Sequence, residues 1–372
     1  MNTGWRMLRP SMLLGLTCLC LGCGDSPAAS VKVLRVYNWS NYIAPKTIAA
    51  FEAETGIDVI YDVFDSNEVL EAKLLSGASG YDLVVPSSSF LSTQIIAGVF
   101  QKLDRSKLTN YGNLDEKLLV FLETYDPGNE HSVPYVWGTT GIGYNVEKVQ
   151  ARLGPAAPLD SLDLLFDPKY ISKLSDCGVA FLDAPQEVIP TALHYLGLDP
   201  NTFDTKLIRN DAQDLLMTIR PYITYFHSSR FINDLANGDI CAAFAFSGDI
   251  LQAKARAEEA ANGVNIAYVI PREGAGMWFD MLAIPAGAKN AGHAHQFIDY
   301  LLRPEVIAAI SNEIHCANPN KASFWLIDAE IAENQSIYPP DEVIRTLFTF
   351  AVTPPKVDRA YNRVFTRVKT SR

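Results

Sequence analysis

The sequence lacks the short patterns that identify common enzyme classes. It contains no GxSxG, HExxH or GxxxxGKS/T pattern, and Gly141-Ile142-Gly143 is not followed by the third glycine of a dinucleotide-binding loop. No pattern singles out a carboxylate pair for glycoside hydrolysis, although spacing alone does not exclude that class. We therefore expect a protein that is not an enzyme, and an exported glycosidase stays open as an alternative.

Basic residues are in the minority. Lysine and arginine number 31 against 42 aspartates and glutamates, which gives a formal net charge of −11. This balance argues against a broad basic surface, so we expect no nucleic-acid partner. With 48% hydrophobic and 20% charged residues, the composition is that of a folded globular protein. A chain of 372 residues is long for one core, which predicts about two domains.

Long hydrophobic runs are missing except at the N-terminus. Arg6 and Arg9 precede an apolar run from Ser11 to Gly22, which is shorter than the roughly 20 residues that span a bilayer. A basic stretch followed by a short apolar stretch is typical of an export signal. We therefore expect residues 1–23 to be a signal peptide and residues 24–30 to be a linker.

Cysteine is scarce, and half of the six cysteines lie in the export segment. Leu21-Gly22-Cys23 resembles the cleavage box of bacterial lipoproteins, which would make Cys23 the lipidated residue. An ordinary signal peptide cleaved before Ser30 is the alternative, and either reading predicts export. Of the remaining cysteines, two could pair in an oxidising compartment and one would be left over. No Cys/His cluster suggests a metal site, and we expect no metal and no cofactor.

The segment after the linker alternates between strand and helix patterns. Residues 31–37, 57–64 and 81–85 have strand character, and residues 45–56 and 67–77 between them have helical character. Such alternation predicts βαβ units and a parallel sheet. Ligands of these sheets bind at the loops beyond the carboxyl ends of the strands.

Two segments are candidate crossings between domains. Residues 133–145 contain two short strand-like runs around Gly138, Thr139 and Thr140, and residues 270–274 form a second connection. We expect one lobe to comprise residues 31–138 plus 271–318. The other lobe would comprise residues 139–270 plus 319–372.

Three acidic residues are candidates for ligand recognition. Asp280 lies inside an apolar strand-like run, where an unpartnered carboxylate is costly, so it needs a wet cavity or an internal ion pair. Asp249 and Glu187 each stand at the predicted start of a helix, where an acid is also favourable without any ligand. Glu187 follows Asp183-Ala-Pro-Gln186, which has the pattern of a capping box.

Large aromatic residues accompany these acids. Trp39, Tyr42 and Trp278 are expected at strand ends or on the strand face of Asp280, although each alone is more typical of a core. Rings next to carboxylates suit an organic cation, because ring faces attract ammonium groups and carboxylates accept their hydrogen bonds. His293 and His295 are expected on a solvated helix surface.

Several long motifs carry a resemblance to a known family. They include NWSNYIAP, YDLVVPSSSFL, GTTGIGYNV, CGVAFLDAP and REGAGMWFDMLAIP. In these motifs, and from about Val33 to about Val368, the sequence resembles bacterial periplasmic polyamine-binding proteins, most closely their putrescine-binding branch. The resemblance implies the α/β fold of a two-lobe periplasmic binding protein (type 2), with mixed sheets flanked by helices and a ligand cleft between the lobes.

The resemblance also implies a set of ligand contacts and a disulfide. The corresponding positions are Trp39, Ser40, Tyr42, Ser87, Glu187, Ser228, Phe246, Asp249, Trp278, Asp280 and Cys316. The family's paired cysteines match Cys177 and Cys241. Phe246 and Cys316 stand where the putrescine binders carry tryptophan and tyrosine, and Asn41 replaces an aspartate. The acidic residues that bind amines are therefore the same as in the family, whereas wall residues that limit the length of the ligand differ.

The function that the resemblance implies is polyamine capture for an ABC importer. The expected partners are a polyamine ligand and an inner-membrane permease. We expect a monomer located in the periplasm. If Cys23 is lipidated, this N-terminal lipid anchor would be the only contact with the membrane. Putrescine, cadaverine, agmatine, spermidine and a modified polyamine all remain open as ligands. The alternative is a sensor or scavenger that binds amines without coupling to import.

Overall fold

Ten strands in the described part of the chain join into one mixed sheet. A computed structural model describes Met1, residues 32–77 and residues 79–371. The predicted signal peptide, linker and lipidation site at Cys23 lie outside the described residues. The strands are β1 (Lys32–Trp39), β2 (Ile57–Phe64), β3 (Leu83–Val84), β4 (Ser132–Asn145), β5 (Val179–Phe181), β6 (Tyr225–Phe226), β7 (Ala242–Phe246), β8 (Ile266–Val269), β9 (Gly276–Ala283) and β10 (Phe348–Thr349).

Helices flank this sheet. They are α1 (Pro45–Thr55), α2 (Asn67–Leu75), α3 (Ser88–Ile96), α4 (Glu116–Leu122), α5 (Val146–Leu153), α6 (Asp163–Phe166), α7 (Pro168–Ile171), α8 (Pro185–Tyr195), α9 (Thr205–Leu207), α10 (Gln213–Ile219), α11 (Arg230–Ala236), α12 (Ser247–Glu259), α13 (Ala291–Leu301), α14 (Pro304–Ile314), α15 (Ala329–Ala332), α16 (Asp341–Ile344) and α17 (Pro355–Thr370). A π-helical turn, Ile208–Ala212, connects α9 to α10. No helix in the part of the chain that the structure describes is long and apolar enough to cross a membrane.

The sheet has two parallel parts joined by antiparallel strands. Its order is β2-β1-β3-β9-β4-β7-β5-β6, with β10 beside β9 and β8 beside β4. Strands β1, β2 and β3 run parallel to one another, and so do β5, β6 and β7. The predicted βαβ units are therefore present in the first part of the chain. Residues from Lys32 onward form one compact unit, and the lobe boundaries given above stay a prediction.

The first two helices begin and end for the reasons that the sequence suggests. Pro45 is the first residue of α1, and Gly56 ends it with a positive φ of 65° that suits glycine. Ser66 caps α2, where its side chain accepts a hydrogen bond from the backbone N–H of Val69. Both helices thereby connect parallel strands and leave their N-termini near the carboxyl ends of those strands.

The prediction of two short strands around Gly138 is wrong. β4 is one continuous strand of 14 residues, and all of them are buried. It pairs with β9 through its first part and with β7 and β8 through its last part. Gly138 does not make a turn but leaves room for a neighbour, because a Cβ there would come within 2.5 Å of Cζ2 of Trp278. β4 thus connects the two parallel parts of the sheet.

Two hydrophobic clusters stabilise the sheet, one beside β1, β2 and β3, and a larger one that extends across both parallel parts. One contains Phe51 and Phe297, whose rings meet edge to face at a centroid distance of 4.8 Å. The other contains Phe166 and Phe181, whose centroids lie 5.6 Å apart. Burying one such side chain contributes roughly 1.5–3 kcal/mol, so each part of the sheet has a substantial core beneath it.

A disulfide joins Cys177 to Cys241, with a Cα–Cα distance of 5.5 Å. The pairing follows from strand register, because β5 and β7 are neighbours and Val179 pairs with Ala242. The two cysteines therefore precede adjacent strand ends at the same edge of the sheet. The disulfide implied by the resemblance is present.

Two local predictions are wrong: that His295 lies on a solvated surface, and that Asp183 caps helix α8. His295 is buried, not solvated, since its Nε2 accepts a hydrogen bond from the backbone N–H of Asp104 at 2.9 Å. Asp183 does not cap α8; Ala184 is the N-cap residue, and the carboxylate of Asp183 instead accepts hydrogen bonds from Lys369. In both cases a contact far away in sequence determines the position of the side chain.

Candidate functional site

One cavity lies at the carboxyl ends of the two sets of parallel strands. Trp39, Asp65 and Ser87 lie at or just after the ends of β1, β2 and β3. Glu187, Ser228 and Asp249 follow the ends of β5, β6 and β7. The antiparallel strand β9 adds Trp278 and Asp280 from within its length. The carboxyl ends of parallel strands are the usual ligand edge of an open α/β sheet, and here two such edges face one cavity.

Asp280 is held by two hydroxyl groups at the wall of this cavity. The hydroxyl of Tyr42 donates to Oδ2 and that of Ser87 donates to Oδ1, each over 2.6 Å. Burial raises the pKa of Asp280 to about 6, although both hydrogen bonds lower it. The carboxylate is therefore oriented by donors but has no cation to neutralise it among the described residues.

Ser87 is itself fixed by Asn67 at the start of α2. The Asn67 side chain donates to Oγ of Ser87 and accepts from its backbone N–H, each over 3.0 Å. This two-way contact aims the Ser87 hydroxyl at Asp280. Asn67 thus belongs to the site although the sequence analysis did not name it.

Glu187 lies in the first turn of α8. Its Oε2 accepts a hydrogen bond of 2.7 Å from the hydroxyl of Thr140, which lies in the connecting strand β4. Burial raises the pKa of Glu187 to about 8, despite the lowering effect of that hydrogen bond. The favourable position of an acid at a helix start is outweighed here by loss of water.

Asp249 lies in the first turn of α12 and faces the same cavity. Burial raises its pKa to about 7, while the Arg256 guanidinium lowers it and the nearby Asp280 raises it. Four carboxyl groups with raised pKa values therefore line one cavity, namely Glu68, Glu187, Asp249 and Asp280. Such perturbed groups in a cleft are typical of a functional site.

Aromatic rings form the apolar walls. The indole N–H of Trp39 donates to the backbone carbonyl of Val85 over 2.9 Å, which fixes the ring, and Phe64 packs against it with a centroid distance of 4.6 Å. Phe246 and Trp278 meet edge to face at 5.8 Å. These rings offer flat faces to methylene groups and to ammonium groups.

Cys316 is buried in the wall and closely packed. A Cβ on Gly248 would collide with its Sγ, so Gly248 is what allows the two segments to approach each other. Burial raises the pKa of the Cys316 thiol well above its usual value, and the nearby Asp249 and Asp280 raise it further. The thiol therefore behaves as a small neutral wall group.

The structure brings all eleven predicted contact residues to this one cavity. They are Trp39, Ser40, Tyr42, Ser87, Glu187, Ser228, Phe246, Asp249, Trp278, Asp280 and Cys316. That each of them contacts a ligand stays a prediction. The cavity also has walls that the sequence analysis missed, among them Asn67, Glu68, Phe90 and Gln186. Asn67 and Glu68 could have been found as the residues that follow the carboxyl end of β2.

Comparison with known proteins gives a consistent result. The sequence profile of the family described as "Bacterial extracellular solute-binding protein" matches residues 46–336. The chain is 56% identical over 345 residues to the putrescine-binding periplasmic protein PotF of Escherichia coli (strain K12), which covers 93% of each chain. It is 54% identical over 360 residues to the putrescine-binding periplasmic protein SpuD of Pseudomonas aeruginosa (strain UCBPP-PA14), covering 97% of this chain and 98% of the relative.

Solved structures give the same fold. The structure is similar to that of the spermidine/putrescine ABC transporter substrate-binding protein PotD of Streptococcus pneumoniae, with a TM-score of 0.74 and 29% sequence identity. That match covers 91% of this chain and 98% of the other.

Proposed function

Because the chain belongs to the family of bacterial extracellular solute-binding proteins, we propose that its cavity captures a polyamine for delivery to an ABC importer. The fold is the two-lobe α/β fold of type 2 periplasmic binding proteins, and the protein is periplasmic. The observation that carries the proposal is the group of carboxyl groups between aromatic walls, in which Asp280 is buried and Glu187 and Asp249 are half-buried. Two ammonium groups joined by methylenes match both the charges and the walls.

Each end of a diamine has its own acidic partners. Asp280 and Asp249 receive one ammonium group, and Glu187 receives the other, partly through water. The hydroxyl groups of Tyr42 and Ser87 each donate to a different oxygen of Asp280, and each oxygen keeps a further lone pair for the ligand. Charge-assisted hydrogen bonds of this kind replace the water that a dication loses on entering the cavity.

The methylene chain of the ligand lies along the rings. Trp39, Trp278 and Phe246 provide the apolar faces, and each buried CH₂ group contributes roughly 0.8 kcal/mol. The rings therefore select for an aliphatic spacer between the two charges. An affinity in the micromolar range corresponds to about −8 kcal/mol in total.

Ligand binding also drives closure of the cleft. Without a cation, the closed conformation buries Glu187, Asp249 and Asp280 in one cavity, and burial of these carboxylates is costly. A dication removes this cost only in the conformation that presents both walls. The ligand therefore shifts the population toward the closed state.

We propose putrescine as the first ligand to test. The relatives PotF and SpuD are named as putrescine-binding proteins, and a relative that is 45% identical is named as a putrescine/agmatine-binding protein. Phe246 and Cys316 form part of the walls of this chain's cavity. The space between these walls therefore determines which length of methylene chain between the two ammonium groups is preferred.

The remaining parts of the assignment are proposals as well. The relatives are binding proteins, and we propose that this chain likewise has no catalytic activity. We propose that it acts as a monomer, contacts an inner-membrane permease and, if Cys23 is lipidated, is attached to the membrane by its N-terminus. The lobe boundaries at about residues 138, 270 and 318 would then be the hinge segments.

Calorimetric titration of the chain without its export segment tests the function. The protein is first stripped of bound ligand by partial unfolding and refolding, and is then titrated with putrescine, cadaverine, agmatine and spermidine. We expect one-to-one binding of at least one amine and a matching increase in Tm. No heat and no thermal stabilisation with any of the four would refute polyamine capture.

A further inference from the structure

The C-terminal helix α17 carries a stripe of positive charge. Four exposed cations follow one another at spacings of three and four residues, namely Lys356, Arg359, Arg363 and Arg367. Residues at these spacings lie on the same face of a helix. The single acid of α17, Asp358, is partly buried and accepts hydrogen bonds from the side chains of Gln186 and Thr353. The charges on the solvent-facing side of the helix are therefore all positive, and we call these four residues the basic stripe.

The basic stripe does not stabilise the helix that carries it. Arg359, Arg363 and Arg367 form two like-charge pairs at a spacing of four residues, and such pairs destabilise a helix. Lys356 lies in the first turn, at the positive end of the helix dipole, where a cation is disfavoured. Only Arg367, in the last turn, is placed favourably for the dipole. None of the four forms a salt bridge within the part of the chain that the structure describes.

The basic stripe also differs from the rest of the protein in charge. The whole chain has a formal net charge of −11. Residues 205–219, which pack against α17, carry two exposed cations and two exposed acids and so add no net charge, namely Lys206, Arg209, Asp211 and Asp214. At physiological salt a charge acts over about 8 Å. An anionic surface that approaches α17 therefore meets the cations of the stripe, whereas the more distant acids are screened.

The composition of this face favours a lipid surface over a protein partner. The exposed side chains of α17 between Lys356 and Thr370 are all polar or charged, because the apolar side chains of this stretch are buried. Protein interfaces depend on aromatic or aliphatic side chains at their centre, whereas the phosphates of lipid headgroups require only cations. From Lys356 to Arg367 the stripe is about 16 Å long, so it can contact several neighbouring headgroups.

We propose that the basic stripe of α17 binds the anionic headgroups of a membrane surface. The proposal does not rest on polyamine capture, and it adds a contact to the N-terminal attachment considered above. Headgroup phosphates neutralise the arginines that repel one another along the helix, and each cation near such a surface strengthens the binding. The contact concentrates the protein at the membrane and leaves its ligand cavity free, because none of the four cations lines that cavity.

Sedimentation of the chain without residues 1–23 together with lipid vesicles tests the contact. One set of vesicles contains about 30% phosphatidylglycerol in phosphatidylcholine, and the other contains phosphatidylcholine alone. We expect binding to the anionic vesicles at low salt, little binding to the neutral ones, and loss of binding when the salt is raised to about 0.5 M.

A variant that lacks three cations of the stripe should bind the anionic vesicles at least about tenfold more weakly. It carries Arg359→Gln, Arg363→Gln and Arg367→Gln. Its Tm should be equal to that of wild type or higher, because two like-charge pairs are removed. A lysine variant, which carries Arg359→Lys, Arg363→Lys and Arg367→Lys, should keep the binding, since attraction to headgroups depends on the charge.

The matched control removes three exposed cations from other elements, with Lys117→Gln, Lys173→Gln and Arg345→Gln, and should bind like wild type. An equal loss in this control would overturn the proposal, because net charge alone would then explain the binding. Wild-type protein with no preference for anionic vesicles would refute it and leave an acidic protein surface as the partner to test. Loss of binding in the lysine variant would also contradict it, since that result requires the planar guanidinium group.

Discussion

The hydroxyl of Tyr42 donates a hydrogen bond of 2.6 Å to the carboxylate of Asp280, a residue 238 positions later in the chain. The contact joins the loop after β1 to the middle of β9. Because Ser87 donates to the other oxygen of the same carboxylate, both oxygens of Asp280 are fixed before a ligand arrives. Preorganised acceptors lose little entropy on binding, which is what a high-affinity amine site needs.

The affinity for putrescine should fall as the pH falls. Burial raises the pKa values to about 8 for Glu187, about 7 for Asp249 and about 6 for Asp280. The amine keeps its charge throughout this range, so protonation of the acids removes its partners. Between pH 8 and pH 6 we expect a loss of at least about tenfold.

Titrations at pH 6, 7 and 8 in buffers of different ionisation enthalpy measure this directly. Near pH 7 they should show that protons are released on binding, because the ligand drives the acids into their ionised form. An affinity that is the same at all three pH values, with no proton release, would contradict the role of the buried acids.

Glu187→Gln should stabilise the unliganded protein at high pH while weakening putrescine binding. The folded-state pKa of Glu187, about 8, is above the usual value of 4.5, so its carboxyl group favours folding at low pH and disfavours it increasingly as the pH rises from 4.5 to 8. The amide removes this cost and can still accept the hydrogen bond from Thr140. We expect a gain of about 1–3 kcal/mol at pH 8 and almost none at pH 4.5.

Urea unfolding at both pH values measures the stability of the Glu187→Gln variant. Thr140→Val serves as a companion, since it removes the hydrogen bond and keeps the charge. A variant that is less stable than wild type at pH 8 would show that Glu187 has a structural role instead.

Cys316→Tyr should narrow the range of ligands. The thiol is a small wall group beside Gly248, and a phenol ring in its place would reduce the space available to long or substituted amines. We expect the ratio of putrescine to spermidine affinity to rise by about tenfold, or ~1.4 kcal/mol. Titration of both ligands checks this, and Cys316→Ser, which adds no ring, should leave the ratio unchanged. An unchanged ratio in the Cys316→Tyr variant would show that the residue at position 316 does not determine ligand specificity.

Removal of the disulfide should lower stability without affecting the site. Cys177 and Cys241 are separated by 64 positions and do not line the ligand cavity. Replacing both with serine should reduce the free energy of unfolding by about 2–4 kcal/mol, because the unfolded chain regains the entropy of an open loop. Urea unfolding measures the loss, and unchanged putrescine affinity is the control. Equal stability of variant and wild type would contradict this estimate.

Much of the local structure could be predicted from the sequence. Pro45 and Gly56 mark the ends of α1, and Ser66 marks the start of α2, because these residues act through their own backbone preferences and caps. The alternation of strands and helices likewise predicts the parallel order of β1, β2 and β3. Such signals are local and need no knowledge of distant contacts.

The site could be predicted less completely. The strand periodicity and the cost of burying a carboxylate indicate Asp280 as a candidate. They do not predict that Asp249 and Glu187 lie in the same site, and only the resemblance to polyamine-binding proteins groups the three acids. Asn67 was missed because its function is to hold Ser87, and only the fold brings the two side chains together. His295 was misplaced for a similar reason, since its partner Asp104 is 191 positions away.

The most direct test of polyamine capture is the titration of the Asp280→Asn variant with putrescine. Asn is nearly isosteric and can still accept one hydroxyl hydrogen bond, but it provides no charge for the ammonium group. We predict that putrescine affinity falls by at least about 100-fold, or ~2.7 kcal/mol, while the Tm of the unliganded protein stays equal or rises. Asp58→Asn, at an exposed position on β2, should behave like wild type. A folded Asp280→Asn variant that binds putrescine within twofold of wild type would contradict the account.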